Sequence, residues 1–174
     1  MDRYIREIMA AQASAGRRLE RLEALETRAP AEGLCLTRQG SPAQSVGSGS
    51  WVVRTFDTLE WQYGAGLEWD TASKIICHRW GVFLVNTNVY FDKAGAAGIK
   101  NVGILKNGTV YEATGWQYVP ASTSSDAAAT AIVMLDEDDY VEAIVYQNTG
   151  GVVDLGIATA QYQHWNVLRV ARLI

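Results

Sequence analysis

The chain has 174 residues, 48% of them hydrophobic, with 16 Gly, 3 Pro and a formal net charge of −4. That is enough for one domain with a core of its own and a short extra element. A net negative chain without a long basic run lacks the electrostatic footprint of a nucleic-acid binder. No apolar stretch approaches the roughly 18 residues a membrane helix needs, so neither nucleic acid nor membrane insertion is expected.

Residues 1–29 differ from the rest. Met1, Ile5, Ile8, Gln12, Ala15, Leu19, Leu22 and Glu26 recur at spacings of four and three, a heptad seam with polar members at Gln12 and Glu26. Arg18 falls at g and Glu23 at the following e, where charges on neighbouring helices pair. A lone helix of this length is marginal in water. The narrow stripe therefore predicts self-association through Ile5, Ile8, Gln12, Ala15, Leu19 and Leu22; the alternative is an amphipathic helix lying on its own domain. The segment has no apolar secretion core, so export by a signal peptide is not expected. Pro30 ends the helix and Gly33 frees the chain to turn.

From Leu34 the chain reads as short strands with turn signals between them. The first is LCLT (34–37), followed by a long loop. WVVRTF (51–56), the alternating neighbourhood of Trp61, SKIICH (73–78) and the alternating GVFLVNTNVYF (81–91) come next, the last with Val82 and Leu84 on one side and Phe83, Val85, Thr87, Val89 and Phe91 on the other. Asn107-Gly108 sits between two extended arms, a strong hairpin signal. AATAIVML (128–135), YVEAIVYQ (140–147), GVVDLG (151–156) and HWNVLRVARLI (164–174) complete about nine or ten strands, the expectation for a two-sheet antiparallel sandwich.

The chemistry-bearing residues are few. Cys35 and Cys77 fall in separate strands and read as small buried hydrophobes, with a single bridge left open. His78 and His164 stand at strand ends, and GSGS at Gly47 lacks the Lys and helix of a phosphate loop. No nucleophile elbow is present, and no catalytic residue is assigned.

Asp136, Glu137, Asp138 and Asp139 form an acidic run. It lacks the pattern of an EF-hand loop and is read first as a strand-connecting turn. A peripheral structural cation on Asp136, Asp138 and Asp139 is the alternative, since four adjacent carboxylates repel; no other cofactor is expected. Trp51, Trp80 and Trp165 lie in or beside strand patterns and read as core or interface anchors. Trp61, Trp69, Trp116 and Tyr118 fall in segments that read as loops rich in Gly, Glu and Gln. There they are candidate ligand-stacking plates, or else closures over the core.

Four stretches together resemble the C1q/TNF-like jelly roll: Gly81 through Phe91 as a long central strand, Ile104-Leu105-Lys106-Asn107-Gly108 as a hairpin, Leu135 through Val141 as a leucine, loop, Gly-Asp-x-Val pattern, and Phe56-Asp57-Thr58 near a strand start. The resemblance covers residues 44–174. Asp138 departs from it by replacing the usual glycine, and Trp165-Asn166-Val167 meets the closing aromatic-x-glycine loosely. It implies a jelly-roll head at 44–174, a linker and first strand at 30–43, and a compact homotrimer whose N-terminal stalk is the coiled coil of 1–29. With the lysine-asparagine-glycine hairpin it further resembles phage appendages. The implied protein is a fibre or decoration protein of the virion, docked on another virion protein through its helix and attached to a host surface glycan or protein. A purely structural capsid or tail-tip protein and a glycan-cleaving enzyme are the alternatives.

Overall fold

The computed structural model describes residues 31–40, 42–156 and 166–173. The seam residues Ile5, Ile8, Gln12, Ala15, Leu19 and Leu22, together with His164 and Trp165, lie outside the described residues. The chain divides after Pro30, and all that follows concerns the unit Ala31–Ile174.

Thirteen strands, β1 to β13, account for the regular structure among the described residues: Gly33–Thr37, Ser45–Val46, Trp51–Val53, Thr58–Tyr63, Leu67–Trp69, Lys74–Cys77, Gly81–Phe91, Gly98–Lys106, Val110–Val119, Ser125–Leu135, Tyr140–Gln147, Val153–Asp154 and Val167–Arg172. They form an all-β, two-sheet antiparallel sandwich. The first sheet runs β10-β7-β13-β1-β4; the second runs β5-β6-β11-β8-β9, with β3 also pairing β11. The short pair β12-β2 stands beside them.

Alternation explains the layering. In β7 the side chains of Phe83, Val85, Thr87, Val89 and Phe91 are buried, whereas Val82, Leu84, Asn86, Asn88 and Tyr90 face outward. The inward residues of the second sheet, among them Ile75, Val102, Ile104, Val141 and Val145, complete the core against them. Near one edge the two sheets almost touch: a Cβ at Gly115 of β9 would lie 1.8 Å from the carbonyl oxygen of Ala128 in β10.

Several segments depart from the expectations above. The long loop after β1 contains β2, which is held by its pairing with β12. The strand expected at 51–56 ends at Val53, because the Arg54 amide bonds Ala143 while the Phe56 amide turns away to Ala72. The segments around Trp69 and Trp116, read as loops for their Gly, Glu and Gln content, are strands β5 and β9, and the alternation around Trp61 is strand β4. Tertiary pairing overrides that composition. Cys35 and Cys77 are both buried and free, and burial pushes both thiols up.

Candidate functional site

The acidic run is a lock between two turns. The Asp139 carboxylate accepts hydrogen bonds from Asn107 Nδ2 at 2.6 Å and from the Asp136 amide at 2.8 Å, and it pairs with Lys106 Nζ at 2.7 Å. Asn107 Oδ1 in turn accepts from the Tyr140 amide at 2.9 Å, and Lys106 Nζ also reaches the Met134 carbonyl at 2.7 Å. Burial works to raise the Asp139 carboxyl, but the bonds from Asn107, Lys106 and Asp136 outweigh it and hold the pKa at about 2. Asp138 adopts φ of 68°, the left-handed conformation that suits glycine, which is how aspartate fills the glycine place of the resembled pattern. Both Asp139 oxygens are thus engaged by protein donors. Among the described residues no cluster of three or more His, Cys, Asp or Glu is placed to hold a metal ion.

The four aromatic candidates do not share one place. Trp69 in β5 packs against the core instead of facing solvent. Trp61 of β4 lies on the outward face of the first sheet, stacked on Tyr63 with ring centroids 5.4 Å apart. Trp116 and Tyr118, two residues apart in β9, point outward from the second sheet and are 67% and 63% exposed.

Trp116 belongs to a larger constellation. The register pairs Trp51 with Tyr146, Tyr146 with Asn101, and Asn101 with Trp116, so one line of side chains crosses β3, β11, β8 and β9. Trp51 and Tyr146 have centroids 5.2 Å apart at 37°. Trp51 also meets Tyr111 of β9 edge to face at 5.9 Å, although β11 and β8 lie between their strands. Their rings lean over the neighbouring line Val53–Ile144–Gly103–Thr114, where Gly103 contributes no side chain. Asn101 Oδ1 is buried without a hydrogen-bond partner among the described residues. Trp51, Tyr111, Tyr146 and Asn101 were not singled out for binding by the sequence. The signal available was period-2 alternation in β9 and β11, which puts Trp116 and Tyr118 on one face of β9 and Tyr146 on the outward face of β11. Tyr111 joins them only because the pairing of β8 with β9 shifts register between Ile104 and Leu105, which alternation does not show.

The first sheet presents a different outward face. A line of paired residues, Ile132–Leu84–Ala171–Gly33–Tyr63, spans all five strands and is apolar throughout. Ile132 and Met134 are 68% and 59% exposed. The next lines, Thr130–Asn86–Arg169–Cys35–Trp61 and Ala128–Asn88–Val167–Thr37–Thr58, carry most of the polar groups.

The strand order and layering are those of a C1q/TNF-like jelly roll. Murine APRIL is similar at 14% identity and a TM-score of 0.62, with 82% of this chain and 99% of that one covered. The Eiger TNF of S. frugiperda is similar at 13% identity and 0.59, covering 84% and 94%. The globular domain of zebrafish complement 1qA is similar at 11% identity and 0.51, covering 84% and 98%. No protein-family model matches the chain, and no curated protein matches it. The likeness is one of fold.

Proposed function

We propose that the chain is the subunit of a homotrimeric virion appendage, a fibre or decoration protein whose jelly-roll heads attach to a host surface component. The observation that carries this reading is the apolar line across the outward face of the first sheet. Exposed Ile132, Met134 and Leu84 at one end and Tyr63 at the other, joined by the small Ala171 and Gly33, make an apolar surface that is costly to leave in water and marks a face made for association. A second and third copy of the chain supply the cover, as the trimeric habit of the resembled family suggests. The virion setting rests on the resemblance of the hairpin and on the heptad pattern of 1–29, which would gather three chains and dock them on the particle. Three copies of one binding surface on a rigid head engage a repeated receptor far more tightly than one copy does. The protein then acts by binding and not by catalysis.

Light scattering on the full chain, paired with adhesion of labelled protein to candidate bacterial hosts, tests the reading. A three-chain mass with adhesion supports it. A three-chain mass with no adhesion to any host would favour the purely structural capsid or tail-tip role, and a single-chain mass overturns the trimer.

A further inference from the structure

We propose that the outward face of the second sheet is a binding face for a neutral oligosaccharide, seated along the line Trp51–Tyr146–Asn101–Trp116. This names the ligand class of the attachment reading and rests on it, although the two fail separately, as the outcomes below show.

Three features converge on a sugar. First, the faces are right. A pyranose ring presents apolar C–H groups on a face, which stack on an aromatic plate, and hydroxyls around its rim, which need polar partners. The line offers aromatic plates at both ends and an amide between them. Trp116 is largely exposed and free of ring partners among the described residues, so stacking on it need not first break an internal contact.

Second, the amide is unpaired. Asn101 Oδ1 is buried away from solvent and accepts no hydrogen bond among the described residues. A buried acceptor left in that state costs about 1–3 kcal/mol. A small rotation of the half-buried side chain opens that oxygen to a sugar hydroxyl, which can donate to it and accept from the Asn101 amide nitrogen in the same contact. A flat hydrophobic protein partner would leave the acceptor orphaned.

Third, length and charge select among sugars. Four paired strands set the two ends of the line about 14 Å apart, three spacings of about 4.8 Å, which fits a short chain of sugar units rather than one. The charged residues on this face include Glu142 and Lys74, which are direct register partners, and Glu68 on β5, which pairs with His78; all lie off the line. The Lys74 ammonium is drawn to the Tyr140 ring at 4.2 Å from its centroid. Burial pushes the Glu142 carboxyl up, against the pull of Lys74. Nothing in the line itself is cationic, so an acidic sugar finds no partner there, and a neutral one suits the site.

The test titrates the full chain with short neutral oligosaccharides of gluco, galacto and manno configuration, with sialylated oligosaccharides as the comparator. Tryptophan fluorescence and calorimetry are the readouts. At least one neutral oligosaccharide is expected to bind, with Trp116→Ala and, separately, Asn101→Leu each weakening it about tenfold or more. Both variants should keep the wild-type melting temperature and assembly mass, and Glu137→Ala, in the exposed acidic turn away from both faces, should bind as wild type does. The proposal is overturned if no neutral oligosaccharide binds, if sialylated ones alone bind, or if affinity is indifferent to Trp116 and Asn101. It is equally overturned if Trp116→Ala changes the assembly mass, because the face is then a contact between subunits. If the chain binds a neutral oligosaccharide but adheres to no host, the attachment reading falls and the sugar face stands. If it adheres and no sugar competes, the sugar face falls instead.

Discussion

Glu32 and Arg172 clasp the start of the sandwich to its end. The Arg172 amide donates to the Glu32 carbonyl at 2.8 Å, and Arg172 Nη1 donates to Glu32 Oε2 at 3.2 Å. The Glu32 side chain is fully buried, and Arg79 approaches it from the rim at 3.7 Å. Removing one partner of a buried pair strands the other's charge, the expensive case. Glu32→Ala is expected to lower unfolding free energy by about 3 kcal/mol, measured by denaturant titration. Gly66 faces the same carboxylate, and a Cβ there would sit 2.2 Å from Oε2. Gly66→Ala should therefore destabilise through the same clasp and add little to Glu32→Ala in the double variant. Full additivity would show that the two act independently.

The near contact of the two sheets gives a second expectation. A methyl at Gly115 meets the backbone of β10, which has no flexible end to move aside. Gly115→Ala should cost about 2–3 kcal/mol or more. Gly47→Ala, with nothing within 4 Å of its Cβ, serves as the comparison and should be close to neutral. Equal melting temperatures for the two variants would contradict the packing described.

The acidic turn makes stability depend on acid. The Asp139 carboxyl is held at about 2 in the folded protein, below its ordinary value of roughly 3.9 in an unfolded chain. The unfolded state therefore binds the proton more readily. The contribution of Asp139 is fully present above about pH 4 and is lost as pH falls toward 2. Asp139→Asn should cost about 1–2 kcal/mol near neutral pH and flatten the acid limb of the stability profile. An unchanged profile would mean that the lock with Lys106 and Asn107 carries no weight in solution.

That lock also shows how far the sequence could be read. Asn107-Gly108 announces its hairpin because both residues take positive φ, 53° and 71°, which few residue pairs tolerate. Alternation in GVFLVNTNVYF assigns both faces of β7 correctly, since period 2 is a property of the strand alone. What joins the hairpin to the acidic turn lies in neither segment. Asn107 and Asp139 meet because β8 and β11 pair, and pairing of segments over thirty residues apart leaves no local pattern. The choice between core closure and outward display for the tryptophans was illegible for a related reason. Trp69 and Trp116 sit in similar Gly-, Glu- and Gln-containing surroundings, yet one packs on the core and the other faces outward. The choice depends on which strand each pairs with and on the phase of that pairing. Glu32 and Arg172 lie 140 residues apart, and nothing near either one marks a buried ion pair.

The apolar line of the first sheet yields the sharpest prediction, because its two outcomes separate cleanly. Ile132 pairs with Leu84 and Met134 with Val82, so the exposed ends of β10 and β7 form one aliphatic corner. Beyond it the line continues over Ala171 and Gly33 to Tyr63, whose ring lies so close over Gly33 that a Cβ there would stand 2.4 Å away. In an isolated subunit, Ile132→Asp and Met134→Asp replace exposed side chains, and such changes usually stay within about 0.5 kcal/mol. In a trimer covered at this face, each would bury an unpaired carboxylate at a subunit contact, which an assembly resists strongly. The double variant is therefore expected to fold while its light-scattering mass drops below three chains, with a melting temperature that no longer rises with protein concentration as a trimer's does. An unchanged three-chain mass would place the subunit contact elsewhere on the head or in the segment 1–29. In that case the apolar line would need another partner.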